Sequence, residues 1–149
     1  MTHYHRDIFK YEVPDGWYVG YEQEYLQIYN EEDGLGALTA SFYVNLKRFK
    51  RTTAIAENMA KSFIDQYHVE LFHPMKWHKI SDKTNVLIGE GIKGDSYIKI
   101  WVIVDHLRIV VATYFSEQHF DKNHNLSPEL TSEVAIFDTI INSVTFNRF

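Results

Sequence analysis

The histidines are the first residues to test for chemistry. His68, His73 and His78 recur every five residues, and neutral imidazole is the commonest metal ligand. Ligands on one helix face sit three or four apart, however, and Pro74 breaks the segment. Glu70 is the only acid interleaved. The spacing fits a polar connection better than zinc or nickel. His3 and His5, with the amino terminus, suggest a square-planar copper or nickel site. That geometry needs His as third residue, and removal of Met1 before the small Thr2 leaves His3 second. A frayed terminus is expected instead. Ser116, Glu117 and His119 have the residue types of a hydrolase, but no nucleophile-elbow glycines flank the serine. No catalytic residue, metal ligand or cofactor is predicted.

The acids and glycines are more local in meaning. Glu22 and Glu24 share a strand face, which solvation explains. Glu90 interrupts the apolar face of Val86, Ile88 and Ile92. Either the strand is exposed there, or Glu90 is buried against Lys99, Arg108 or a tyrosine hydroxyl, and a shifted carboxyl would mark a site. Gly34-Leu-Gly36 and Gly89-Glu-Gly91 lack phosphate-loop spacing. The second pair suits a bulge or a close approach under a helix. Lys47-Arg48-Phe49-Lys50-Arg51 precedes a helix start, where cations and the dipole favour an anion or acidic partner; a solvated loop is the plainer reading. Trp17, Tyr18, Tyr21, Tyr25 and Tyr29 crowd the early strands, with Trp77 and Trp101 elsewhere. Such residues are enriched at interface hot spots, and some contiguous aromatic patch should be exposed. The candidate binding residues are Tyr97, Lys99, Trp101, Glu90, Trp17, Tyr21, Lys47 and Arg48.

The elements that must position these residues centre on Thr84 to Phe115. Three runs, Thr84–Lys93, Ser96–Val104 and Leu107–Phe115, are joined at Gly94-Asp95 and Asp105-His106. Two-residue joints between alternating runs signal hairpins, so a three-strand antiparallel meander is predicted. The middle run has a pure apolar face (Ile98, Ile100, Val102, Val104) and a mixed face (Tyr97, Lys99, Trp101, Ile103). The mixed face is where a site is expected, and the pure face should be silent core. Earlier strands are predicted at Ile8–Val13 (core face Phe9, Tyr11, Val13), Trp17–Tyr21, Glu24–Tyr29 and Gly36–Leu46, with another at Met75–Ile80. Thr53–His68 reads as a helix capped by Thr52 or Thr53, burying Ala56, Met59, Ala60, Phe63 and Tyr67. A second helix opens at Ser127-Pro128-Glu129 and carries Leu130, Val134, Phe137, Ile141 and Val144 inward. Strands apolar on both faces need cover on both faces, which predicts an α+β fold with one helix on each side of the sheet.

Composition narrows the classes. A chain of 149 residues suits a single domain, 1–149. Twenty Tyr and Phe in equal numbers tilt the expectation toward sheet. The absence of cysteine excludes disulfides and thiolate chemistry. No signal-like segment or long apolar run predicts a cytoplasmic protein with no membrane partner. A net charge of −5 argues against nucleic acid.

Phe9-x-Tyr11-x-Val13-Pro14-x-Gly16-Trp17 resembles the opening strand and turn of the PsbP-like superfamily. The later order of elements is similar too, ending in Phe137-Asp-Thr-Ile-Ile-Asn-Ser-Val-Thr-Phe146. That superfamily includes a photosystem II extrinsic subunit, a Ran-binding nuclear import factor and many uncharacterised bacterial domains. The resemblance implies an α/β/α sandwich around an antiparallel sheet, and binding or assembly more than catalysis. It carries over no site residue.

The expectation is a non-enzymatic protein-binding or assembly module of bacterial type, with a protein partner. One alternative is a small-molecule binder or hydrolase-like enzyme with a sheet–helix pocket around Glu90, Tyr97 and Trp101. Another is an immunity or inhibitor protein.

Overall fold

A computed structural model describes residues 1–6, 8–22, 25–45, 51–117 and 126–147. The elements run β1 (Thr2–His5), β2 (Phe9–Glu12), β3 (Trp17–Glu22), β4 (Tyr25–Asn30), β5 (Gly36–Val44), α1 (Thr52–Gln66), β6 (Glu70–Leu71), β7 (Lys76–Ser81), β8 (Thr84–Lys93), β9 (Ser96–Val104), β10 (Arg108–Ser116), α2 (Pro128–Asn142) and β11 (Thr145–Phe146). The fold is α+β. No helix among the described residues is long and apolar enough to cross a membrane.

The main sheet has strand order β3-β4-β5-β10-β9-β8, with β6 and β7 both along the outer edge of β8. A separate small sheet has the order β1-β2-β11. Every described pairing is antiparallel. β8 and β9 occupy the predicted residues, and Gly94 supplies the positive φ (+62°) that their tight turn needs. β8, β9 and β10 pair consecutively and antiparallel as predicted, but the sheet as a whole is not a meander. β10 pairs on its far side with β5, from Arg108 opposite Val44 to Ser116 opposite Gly36. The chain leaves the sheet after β5, crosses through α1 and re-enters at the opposite edge. Apolar faces on β10 reported a central strand but not which strand lies beside it.

Two cores result. On one face, Tyr97, Trp101, Ile103, Val110 and Tyr114 meet Leu130, Val134, Phe137 and Ile141 of α2, with Phe9, Tyr11 and Val13 closing the edge. On the other, Leu87, Ile100, Val102, Val104 and Ile109 meet Ala56 and Ala60 of α1. The two covers are unequal. α2 is wedged in by bulky side chains, whereas α1 fully buries only Thr52, Ala56 and Ala60.

Local chemistry explains the helix starts. Ser127 accepts from the Leu130 N–H at 3.1 Å, with Pro128 in the first turn, as the sequence predicts. The α1 start differs. Its N-cap is Arg51, which makes no side-chain cap bond. Thr52 is instead the first helical residue, and its hydroxyl donates to the His106 carbonyl at 2.7 Å and accepts from Asn45 at 3.2 Å. Thr52 thereby ties the helix to the β9–β10 turn. The amino terminus is not frayed either. β1 pairs with β2, and His5 is buried between Phe9, Tyr21 and Phe42. Burial, then the Arg6 charge, holds the His5 imidazole below its ordinary range.

Gly91 answers a close approach, though of a strand and not a helix. A Cβ there would run into the Glu70 carbonyl of β6. Gly89 is similar, its Cβ position lying 2.7 Å from Met75 Cγ.

Candidate functional site

The mixed face of β9 lies against α2. Tyr97 and Trp101 are fully buried. The Trp101 indole N–H donates to Asp138 Oδ1 at 2.9 Å, and Lys99 Nζ donates to Asp138 Oδ2 at 3.1 Å. Higher on α2, buried Glu133 accepts from the Leu35 N–H at 3.1 Å and from the Tyr114 hydroxyl. These acids act as polar rivets between helix and sheet. They also explain why the face reads as mixed: its polar atoms meet partners from a helix some forty residues away in sequence. Tyr97 and Trp101 fill the sheet–helix space where an internal pocket was expected.

Glu90 is half-buried, at 27% exposure, and its partner is the Tyr97 hydroxyl, which donates to Oε2 at 2.6 Å. His73 Nε2 lies 3.6 Å from Oε1. Burial first, then the Glu90 hydrogen bond and charge, raises the Tyr97 hydroxyl far above its ordinary range, so it stays a proton donor to the carboxylate. Arg108 is committed elsewhere, to Asp105 at 2.6 Å. Lys76 and His78 of β7, Glu90, Lys99, Asp138 and Asn142 border an open polar cavity of about 530 Å³ at the sheet edge. The structure thus brings Glu90, Tyr97, Lys99 and Trp101 together.

The other candidates are scattered. Trp17 packs edge-on against Phe137, with ring centroids 5.2 Å apart. Tyr21 is exposed beside His5 and Arg6. Lys47, Arg48, Glu24 and His119 lie outside the described residues. Ser116 is buried and donates to the Leu35 carbonyl at 2.9 Å. His68, His73 and His78 are exposed, and no cluster of three or more potential metal ligands occurs among the described residues.

A larger concavity lies on the opposite face of the sheet, which the sequence reading assigned to silent core. α1 packs mainly on β9 and β10. Between its flank and β5–β10 runs a groove of about 650 Å³, bordered by Tyr43, Val44, Ile55, Met59, Phe63, Tyr67, Ile109 and Val111, with Asn45, Asn58, Ser62 and Gln66 among them. It adjoins a second hollow of about 420 Å³ that adds Thr39, Ser41, Lys93, Ile98, Thr113 and Phe115. Tyr43, Val44, Tyr67 and Phe115 are each 39–46% exposed. They are four of the eight exposed large apolar side chains among the described residues, and they converge here. Lys93 Nζ sits 4.8 Å from the Tyr67 ring centroid. The face continues across β4 and β3, where half-buried Tyr18 and Tyr29 stack at 4.6 Å. Tyr18 can lie flat because Gly20 beneath it has no Cβ.

This groove was legible in part. Ile55, Met59, Phe63 and Tyr67 step by four, a row beside the Ala56–Ala60 row. A helix needing both rows buried has a wide stripe, and here only the alanine row is fully buried, while Ile55, Met59 and Phe63 pack half-buried beside it. On β5, Thr39, Ser41 and Tyr43 alternate with the inward Leu38 and Ala40, a pattern of one open face.

Comparison with known proteins gives the fold alone. No family model matches the chain, and no curated relative matches it. Among solved structures, it is similar to a protein of Bacteroides thetaiotaomicron VPI-5482, with a TM-score of 0.61 at 10% sequence identity. The alignment covers 94% of this chain and 45% of that one, so the chain spans less than half the length of its neighbour.

Proposed function

We propose that the chain is a non-enzymatic protein-binding module of bacterial type, built as a PsbP-like α/β/α sandwich, whose docking face is the open sheet beside α1. The observation that carries the reading is the convergence of Tyr43, Val44, Tyr67 and Phe115 on one groove. Exposed apolar side chains scattered singly are ordinary, but a contiguous patch marks an interaction surface. Tyrosines suit such a surface, since they give large rigid contact area at low entropic cost. Among the described residues, the border of the groove holds no carboxylate and no imidazole. Its only charge among the described residues is Lys93. The expected occupant is an apolar or aromatic segment of another protein with an acidic residue near Lys93. Helices packing on opposite sheet faces support the sandwich reading.

Photo-crosslinking tests this. A crosslinking residue is placed at Tyr67, and a control at Ile136, which is exposed on α2. The expected result is a discrete protein adduct from position 67, absent from position 136. No adduct, or the same adducts from both positions, would reject the docking face.

A further inference from the structure

The polar cavity at the other end of the molecule has no part in that reading, yet it is built to hold something. Its floor is Lys99, a residue only 8% exposed. Its ammonium donates to Asp138 Oδ2 at 3.1 Å, lies 3.0 Å from Oδ1 of the same carboxylate, and sits 5.4 Å from the Trp101 ring centroid. An ammonium carries three donors, and the third has no acceptor among the described residues. Directly across the strand pair stands Glu90, the register partner of Lys99. Glu90 gives Oε2 to Tyr97, while Oε1 has only His73, at 3.6 Å, beyond hydrogen-bond reach. On β7, Lys76 borders the same space and has no partner among the described residues. Lys79 is drawn outward to Asp82 at 3.7 Å.

A half-buried carboxylate oxygen and two cationic groups therefore face one volume of about 530 Å³, within the range of small-molecule sites. Lys76, Lys79 and Lys99 stand against Glu90 and Asp138, so the lining has separated charge of both signs with a slight cationic excess. A simple anion meets two carboxylates there, and a simple cation meets three ammonium groups. We propose that this cavity is a binding site for a small zwitterion of the amino-acid class. The ligand carboxylate bonds the Lys76 ammonium and the third Lys99 proton, and its ammonium bonds Glu90 Oε1.

The test is an amide chemical-shift titration of the whole chain at constant ionic strength. The probes are the common L-amino acids one at a time, with acetate and ethylammonium as half-ligands. At least one amino acid should shift Gly89, Glu90 and Asn142 saturably, with each half-ligand at least about tenfold weaker. Lys76→Gln, at an exposed position, should weaken binding about tenfold, the loss of one charge-assisted hydrogen bond. Lys10→Gln, exposed on β2, should leave it unchanged. The proposal falls if no amino acid gives saturable shifts at these amides. It falls equally if a half-ligand matches the best amino acid, or if Lys10→Gln costs as much as Lys76→Gln.

Discussion

At the scale of single residues, Asp105 and Arg108 make the clearest energetic statement. Both are buried, and the guanidinium donates through Nε at 2.9 Å and through a terminal nitrogen at 2.6 Å. The same carboxylate accepts the Leu107 and Arg108 backbone N–H groups at 2.9 and 2.6 Å, closing the β9–β10 turn. Burial alone would raise the Asp105 carboxyl. The Arg108 hydrogen bonds, the two backbone N–H groups and the Arg108 charge outweigh burial and hold it below its usual value of 3.8. Because the folded group titrates lower than the unfolded one, its stabilisation is complete above about pH 4 and is lost as pH falls below that. Asp105→Asn leaves a buried guanidinium without its counter-ion and should cost about 3–5 kcal/mol in urea unfolding at pH 7. That deficit should shrink as pH falls below 3.8, where the unfolded native-sequence chain takes up a proton that the folded carboxyl resists; an unchanged deficit at about pH 2.5 would contradict the assignment. The joint itself was misread from sequence as a two-residue turn. Arg108 begins the strand, and Asp105 is what the turn is built around.

At the scale of elements, the two helices divide the labour. α2 is fastened by both core and polar rivets. Asp138→Ala removes the acceptor of the buried Trp101 N–H, and leaving such a group unsatisfied costs about 1–3 kcal/mol. Thermal unfolding should detect that loss, while Asp138→Asn, which keeps an acceptor oxygen, should recover much of it. α1 buries alanines and turns its larger row toward the groove, so Tyr67→Ala should change stability by no more than about 0.5 kcal/mol. A loss of several kcal/mol would place Tyr67 in the core after all. Much of this level was legible. β8 and β9 begin and end where alternation and the Gly94 turn put them, and Ser127-Pro128-Glu129 starts α2. The short strands β1 and β6 were not legible, because four and two residues carry too little periodicity to register. The mixed face of β9 has a physical reason. A polar residue on a strand face signals either water or a distant partner, and Lys99 and Trp101 have the distant partner, Asp138.

At the scale of the whole molecule, topology decides which face is open. Pairing of β10 with β5 sets the strands β3-β4-β5 beyond the reach of α1, and no alternation within either strand reports that long-range pairing. The wide sheet and the single short helix on that side together leave an aromatic surface uncovered by any described element. The central claim is that this surface binds protein. Its most direct measurement is the calorimetric affinity of the crosslinked partner, once purified, for four forms of the chain: the native sequence, Tyr43→Ala, Tyr67→Ala and Ile136→Ala. Residues at the centre of a protein interface typically lose about 2 kcal/mol or more on truncation. Tyr43→Ala and Tyr67→Ala should therefore each weaken binding at least about thirtyfold, with melting temperatures unchanged, and Ile136→Ala should bind as the native chain does. Native affinity in both tyrosine variants, or an equal loss in Ile136→Ala, would contradict the account.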